Sequence, residues 1–88
     1  MEATIKKMMR IVRGHTGASQ VYRDMLLSML PNSEHKVNIG YWCYKADRDD
    51  FIALHSLMQQ VKNGDDIVWE YEKLLRPYIN ELEQFKED

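Results

Sequence analysis

The sequence predicts an all-α fold, a single helical domain over residues 1–88 built as a small bundle of four to five helices. Four apolar stripes recur along the chain at the spacing of an amphipathic helix, and glycine, proline or asparagine separates them. A chain of 88 residues holds one core, so each amphipathic segment must contribute its apolar face to it. We find no internal repeat, linker or low-complexity tract that would divide the chain.

The first helix is predicted over residues 4–13. Its apolar stripe consists of Ile5, Met8, Met9 and Val12. Gly14 stands where a left-handed residue commonly ends a helix. Thr16 then has the side chain of an N-cap, and we expect its hydroxyl to accept a hydrogen bond from the backbone N–H of Ser19. The stretch RGHTGAS is therefore explained as a corner between two helices, with no ligand required.

The second helix follows that corner directly. Its stripe consists of Val21, Met25, Leu26, Met29 and Leu30, and Pro31 with Asn32 ends it.

The segment VNIGYWCYKAD is ambiguous. Its first apolar residues alternate as in a strand: Val37, Ile39 and Tyr41. Alternatively, Asn38 caps a short helix that runs to Tyr44. That helix would gather Ile39, Trp42 and Cys43 on one side. We favour the helix, because an isolated strand would leave its backbone hydrogen bonds unpaired.

A third long helix is predicted to begin after Asp47, which serves as its cap. Asp49 and Asp50 lie in its first turn, where the helix dipole favours acids. Its stripe consists of Phe51, Leu54, Leu57, Met58 and Val61. Asn63-Gly64 is expected to end it.

The last segment runs from Asp65 to about Phe85. Its apolar residues follow steps of three and four: Ile67, Tyr71, Leu74, Tyr78, Leu82 and Phe85. Such a narrow seam favours packing against one neighbouring helix, and a homo-oligomer formed through residues 67–85 is one way to supply it. Pro77 removes one amide and crowds the carbonyl of Lys73, so we expect a kink or a break there.

Composition bounds the location of the protein. No apolar run approaches the roughly 20 residues that span a bilayer, and the first residues lack the pattern of a signal peptide. One cysteine, Cys43, allows no internal disulfide and indicates a reducing compartment, where we expect it to be a small buried hydrophobe. The sequence predicts a cytoplasmic protein with no membrane partner.

Charge is divided unevenly along the chain, whose formal net charge is −2. Residues 1–45 carry seven basic and three acidic side chains, whereas residues 46–88 carry five basic and eleven acidic ones. Two interpretations follow: the halves pair with each other, or one of them presents its charge to a partner.

The run Arg13-Gly14-x-Thr16-Gly17-x-Ser19, followed by an apolar helix ending in Leu26-Leu27, resembles a family of short bacterial proteins without assigned function. Members of that family are often carried on plasmids, phages and integrated elements. The similarity continues through Trp42, Asp47, the helix over residues 51–61, and Pro77. Where His15 stands here, family members more often have an acidic residue. The resemblance implies a small helical protein of mobile-element character, and it transfers no activity.

Basic residues of the first helix form one candidate site. Lys6, Arg10 and Arg13 fall on one face, opposite the methionine stripe, and Lys7 flanks them. Arg13 and His15 also lie beside the start of the second helix, where free amides can hold an anion. These residues predict a phosphate or nucleic-acid contact, whereas a solvated helix face is the alternative. A pI of about 5.9 argues against a nucleic-acid-binding domain.

Metal and catalytic sites find no support in the sequence. His15, His35 and His55 do not lie at the short spacings of a zinc site. Cys43 and His55 have the residue types of a nucleophile and a base, but no third group or oxyanion motif accompanies them. We therefore predict neither an enzyme nor a cofactor.

The acidic C-terminal half and an aromatic cluster form the second candidate site. Glu70, Glu72 and Glu81 are predicted to contact a partner, with a solvated helix surface as the alternative. The aromatic cluster Tyr41-Trp42-Cys43-Tyr44 is a candidate interface anchor, with Tyr41 and Trp42 as the predicted contacts, because Trp and Tyr dominate binding hot spots. The alternative is that these rings complete the core.

Taken together, these features predict a non-enzymatic helical protein that binds a macromolecule. A protein partner is the leading interpretation, with the chain acting as a phage- or plasmid-encoded inhibitor of a host defence system. The alternative is a small nucleic-acid-binding regulator that uses the basic face of the first helix.

Overall fold

The structure, a computed structural model, describes residues 1–64 and 66–85 and confirms the all-α fold. The helices are α1 Glu2–Arg13, α2 Ser19–Ser28, α3 Ile39–Lys45, α4 Arg48–Lys62 and α5 Ile67–Glu83. The described ranges contain no strand, so the ambiguous segment is a helix. The Cα radius of gyration is 12.1 Å, close to the ~12 Å expected for a folded domain of this length.

One apolar core receives side chains from all of these helices. Every member of the predicted α1 stripe is buried, and α2 contributes Val21, Tyr22, Met25, Leu26 and Leu27. The remaining buried apolar side chains are Trp42 of α3, Leu54 and Leu57 of α4, and Tyr71, Leu75 and Leu82 of α5. Removing a large side chain of this kind from water contributes about 1.5–3 kcal/mol.

The corner between α1 and α2 differs in detail from the prediction. Gly14 is right-handed, with φ −73°, and its N–H donates to the carbonyls of Arg10 and Ile11. His15 takes the left-handed conformation instead, with φ 49°. The prediction of a left-handed Gly14 was therefore wrong by one position, because the helical hydrogen bonds continue through Gly14.

Ser19, rather than Thr16, organises the start of α2. Its Oγ accepts from the backbone N–H of Thr16 at 2.8 Å and donates to the carbonyl of Ile11 at 2.7 Å. The N–H of Ser19 itself donates to the main-chain carbonyl of Thr16, and the Thr16 hydroxyl accepts from Ala18 at 3.3 Å. The predicted bond from Ser19 to the Thr16 hydroxyl is thus not formed, and buried Ser19 ties α2 to the end of α1.

Helix α3 lies on the outside of the bundle. Its predicted cap is confirmed, since Asn38 Oδ1 accepts from the N–H of Tyr41 at 3.0 Å. Only Trp42 reaches the core completely. The predicted apolar face does not form, because Ile39 is half exposed and Cys43 is exposed. A helix of seven residues resting on α2 turns most of its side chains to solvent.

Helix α4 follows after a two-residue connection. Asp47 occupies the predicted N-cap position, but its side chain makes no capping hydrogen bond and lies 3.9 Å from Lys7 Nζ. Gly64 has φ 87°, which explains why the predicted stop at Asn63-Gly64 uses glycine.

Helix α5 continues through Pro77 without a break. Its buried residues are Tyr71, Leu75 and Leu82, whereas Leu74 of the predicted seam is only partly buried. Tyr71 and Leu82 of the seam thus lie in the core of their own chain, whereas the other seam residues are only partly buried against it: Ile67, Leu74, Tyr78 and Phe85. A homo-oligomer through this segment stays a prediction. Asp65, which is the predicted start of this segment, lies outside the described residues.

None of the described helices has the length and apolar character needed to cross a membrane.

Candidate functional site

The basic face of α1 is largely compensated by acids. Lys6 Nζ lies 3.4 Å from Glu2, one turn away on the same helix. Lys7 Nζ lies 3.3 Å from the carboxylate of Asp50. Arg10 is exposed, and within residues 1–64 and 66–85 no carboxylate forms an ion pair with it. The predicted nucleic-acid face thus keeps one cation without an acidic neighbour in the described ranges.

Arg13 and Glu81 join the two predicted sites to each other. Arg13 Nε and Nη2 donate to the two carboxylate oxygens of Glu81 at 2.7 and 2.8 Å. The hydrogen bond from Arg13 lowers the pKa of Glu81, and the same bond raises the pKa of Arg13. At Arg13 and Glu81, the basic and acidic halves of the chain pair with each other, which was one of the two interpretations of the uneven charge.

Three backbone amides of the predicted anion site at the helix corner are engaged within the chain. The N–H groups of Thr16, Ala18 and Ser19 all donate to groups within the turn. His15 is exposed, and its ring stacks on Phe85 with centroids 5.5 Å apart. With Arg13 held by Glu81, the geometry matches the helix corner that the sequence analysis favoured.

The acidic candidates on α5 differ from one another. Glu72 accepts from Arg76 Nη2 at 2.6 Å, and Glu81 is held by Arg13. Glu70 is exposed in the first turn of the helix. Two of the three predicted acidic contacts are therefore neutralised within the chain.

A buried carboxylate that the sequence analysis placed only as a helix-dipole residue organises the centre of the molecule. Asp50 is 1% exposed and accepts from the Tyr22 hydroxyl at 2.7 Å, while its Oδ1 forms an ion pair with Lys7 that lacks hydrogen-bond geometry. The Tyr22 hydroxyl in turn accepts from the N–H of Asp47 at 2.9 Å. Burial raises the pKa of Tyr22. This network fixes the start of α4 against α1 and α2.

The histidines do not assemble a metal site. His35 Nε2 lies 2.9 Å from Asp24 Oδ1, which also pairs with Arg23 Nε at 3.3 Å. His55 stacks on Phe51 with centroids 4.0 Å apart, and its Nε2 is buried. Among the described residues, no group of three or more His, Cys, Asp or Glu side chains is placed to hold a metal ion.

Among the described residues, α3 is the helix with more than one large exposed hydrophobic side chain, whereas Ile52 on α4 and Trp69 on α5 are single exposed residues of their helices. Tyr44 is 80% exposed, Ile39 49% and Tyr41 41%. Lys45 Nζ lies 5.8 Å from the ring centroid of Tyr41 and 5.5 Å from that of Tyr44. Ile39, Tyr41, Tyr44 and Lys45 are called the α3 surface below. Of these, Tyr41 was a predicted contact residue, and Tyr44 belonged to the predicted aromatic cluster.

Trp42 lies beneath the α3 surface, not in it. Its ring is fully buried and meets Tyr22 edge to face, with centroids 5.0 Å apart. The prediction that Trp42 anchors a partner is thereby corrected, and the alternative that it completes the core applies. Tyr41 has a different role, since its hydroxyl donates to the carbonyl of Gly17 at 3.3 Å and its ring remains partly open to solvent.

A cleft of about 230 Å³ adjoins the α3 surface at Tyr41. Its lining is mostly polar and consists of Gly17, Gln20, Val21, Asp24, Asn38 and Tyr41. The α3 surface is therefore an apolar and aromatic patch that carries one cation and borders a polar recess.

Comparison of this chain with protein-family models, curated proteins and solved structures finds no match. The resemblance to proteins of mobile elements remains a prediction from the helix-corner motif.

Proposed function

We propose that this protein is a non-enzymatic module that binds another protein through the α3 surface. The observation that carries the proposal is the exposure of Ile39, Tyr41 and Tyr44 together on one helix of seven residues. Rings of this kind contribute large contact area at low cost in side-chain entropy, which is why tyrosine is enriched in binding hot spots.

The charge pattern supports this choice among the candidate surfaces. Arg13 and Glu81, which belonged to opposite candidate sites, satisfy each other, and Glu72 is held by Arg76. A nucleic-acid face needs several cations free to replace counterions on phosphates. Lys7 is tied to a buried carboxylate, so α1 offers a poor face of that kind.

The helix-corner resemblance extends the proposal to a setting. As a product of a plasmid, phage or integrated element, the protein would bind a component of a host defence system and inhibit it by covering a functional surface. This part of the proposal rests on the motif around Arg13 and Ser19 alone.

A capture experiment tests the binding function. The full chain is immobilised, exposed to nuclease-treated lysate of the cells that produce it, and compared with the double variant Ile39→Ser/Tyr44→Ser. We expect a protein captured by the wild type to be lost with the double variant, because the apolar contact area of α3 is removed. Quantitative mass spectrometry of the retained proteins provides the measurement.

Ile52→Ser is the matched control, since Ile52 is 50% exposed on α4 and Ile39 is 49% exposed on α3. The control should retain the captured protein, and circular dichroism should show equal helix content in all chains. Capture that survives the α3 double variant, or that is seen only when the nuclease is omitted, would refute the proposal.

A further inference from the structure

The α3 surface has a distinct electrostatic character. Residues 36–46 contain Lys36 and Lys45 and no acidic residue. The first acid that follows, Asp47, faces Lys7 at 3.9 Å. Asp24, in the wall of the adjoining cleft, is engaged by Arg23 and His35. Asp47 and Asp24 are therefore engaged, and residues 36–46 carry two positive charges and no negative one in a chain of net charge −2.

Lys45 is the central cation of this surface. Its ammonium group lies over the rings of Tyr41 and Tyr44, and among the described residues no carboxylate is within salt-bridge distance of it. Contact with aromatic faces restricts the position of the ammonium group and removes part of its water. An ammonium group held in this way still has N–H donors for a carboxylate of a ligand. Binding of that carboxylate costs little further side-chain entropy, because the lysine is already ordered.

We propose that the α3 surface binds an acidic segment of a partner protein, with a partner carboxylate on Lys45 and apolar partner side chains against Tyr44 and Ile39. This inference rests on the proposed function and adds the chemistry of the partner. The polar recess beside Tyr41 offers the amides of Gln20 and Asn38 to the main chain or a polar side chain of the same segment.

The geometry favours a peptide over a single-stranded nucleic acid. A nucleic-acid backbone is tracked by a row of cations, and its bases stack on open aromatic faces. Among the described residues, Lys45 is the one cation over these two rings, with its Nζ 5.8 Å from the ring centroid of Tyr41 and 5.5 Å from that of Tyr44. The rings are also tilted by 31° with centroids 6.4 Å apart, which gives no parallel gap for a base.

A titration with defined probes tests this inference on the full ¹⁵N-labelled chain. The first probe is a short peptide that alternates glutamate and leucine, the second replaces each glutamate with lysine, and the third is oligothymidylate. We expect the acidic peptide alone to shift amide resonances, and the shifts to centre on residues 37–47 and on Gly17 and Gln20.

Substitutions locate the charge that matters. Lys45→Gln should weaken binding of the acidic peptide about 1.5-fold to fivefold, the range expected for one partly exposed ion pair, and Lys45→Arg should restore it. Lys73→Gln is the matched control, because Lys73 is an exposed lysine on α5, and it should leave the affinity unchanged.

Three results would overturn the inference: equal or tighter binding of the lysine peptide, oligothymidylate shifting the same amides more tightly, or no shift with any probe at millimolar concentration. If α3-dependent capture from lysate persists while the acidic peptide fails, the partner chemistry is wrong and the binding function stands. If capture is independent of α3, both are wrong.

Discussion

Two tyrosine hydroxyls lie inside the core, and each has a specific partner. Tyr22 donates to Asp50, and Tyr71 donates to the carbonyl of Leu26 across the bundle. Burial raises the pKa of both tyrosines, because the phenolate would lose its hydration. Both side chains are therefore neutral in the folded state well beyond the pH at which tyrosines of the unfolded chain ionise.

Tyr71→Phe should show this effect as a stability difference that depends on pH. Because the folded pKa is raised, the stabilisation by Tyr71 is complete below the unfolded pKa of about 10 and is lost as pH rises above it. At neutral pH we expect the variant to be less stable by about 1 kcal/mol, the value of one buried hydrogen bond. Between about pH 10 and about pH 11 that gap should close.

Urea unfolding of both chains from about pH 7 to about pH 11 measures the gap. Tyr44→Phe is the matched control, since that side chain is 80% exposed and removing its hydroxyl breaks no buried bond. A Tyr71→Phe difference that stays constant across this range would contradict the assignment.

At this scale the sequence predicted burial better than polar contacts. The four apolar residues of α1 are buried as expected from their spacing. Asp50 was assigned to a helix dipole, because nothing in the order of residues shows that Tyr22 and Lys7 meet at its carboxylate. Such contacts depend on how three helices cross, which periodicity does not encode.

Among the elements, α5 departs most from its prediction. The helix runs through Pro77, so the carbonyl of Lys73 has no intrahelical N–H to accept from. Tyr71, Leu75 and Leu82 bury one face on both sides of the proline, and this packing offsets the local loss. Tertiary contacts have overridden a helix-breaking signal.

Pro77→Ala should stabilise the protein, because it restores one hydrogen bond at an exposed position and relieves the crowding at Lys73. We expect a gain of about 1–2 kcal/mol, after allowing for the larger conformational entropy of the unfolded alanine chain. Lys73→Ala is the control in the same helix and should change stability by less than ~0.5 kcal/mol. Chemical denaturation compares the three chains, and an unchanged or lower stability for Pro77→Ala would show that the proline is required for packing.

The existence and order of the helices followed from the sequence, whereas the faces of short helices did not. An apolar stripe that extends over about three turns identifies a helix even if one residue departs from the pattern. Helices α1, α2 and α4 therefore lie close to their predicted positions. Helix α3 has seven residues. Whether Trp42 or Cys43 faces the core depends on where α2 lies. For the same reason the sequence left open which rings of the aromatic cluster face solvent and which complete the core, whereas Tyr44 is exposed and Trp42 is buried.

Across the whole molecule, the first and last helices are joined by a charge pair 68 residues apart in sequence. Arg13 and Glu81 are both largely exposed, but their geometry is bidentate, which is the favourable case for a surface ion pair. The pair brings together one base of the N-terminal half and one acid of the C-terminal half.

Exchanging the two charges tests this link. Arg13→Glu and Glu81→Arg should each lower the thermal midpoint, since each places like charges side by side. The double variant should recover most of the loss, because the pair is restored in reverse. Thermal unfolding at low and high salt provides the measurement, and salt should reduce all of the differences. A double variant whose loss equals the sum of the two single losses would mean that the residues do not interact.

Helix α3 is attached to the bundle by a single fully buried side chain, that of Trp42. Among the helices of the described ranges α3 contributes the fewest buried side chains, so we expect it to detach with the least loss of buried area, while the packing of α1, α2 and α5 stays intact. A partner that contacts the outer face of α3 binds only the attached state and so suppresses this local opening. Affinity and local stability are then linked: a change that loosens Trp42 within the core weakens binding at a surface that Trp42 never touches.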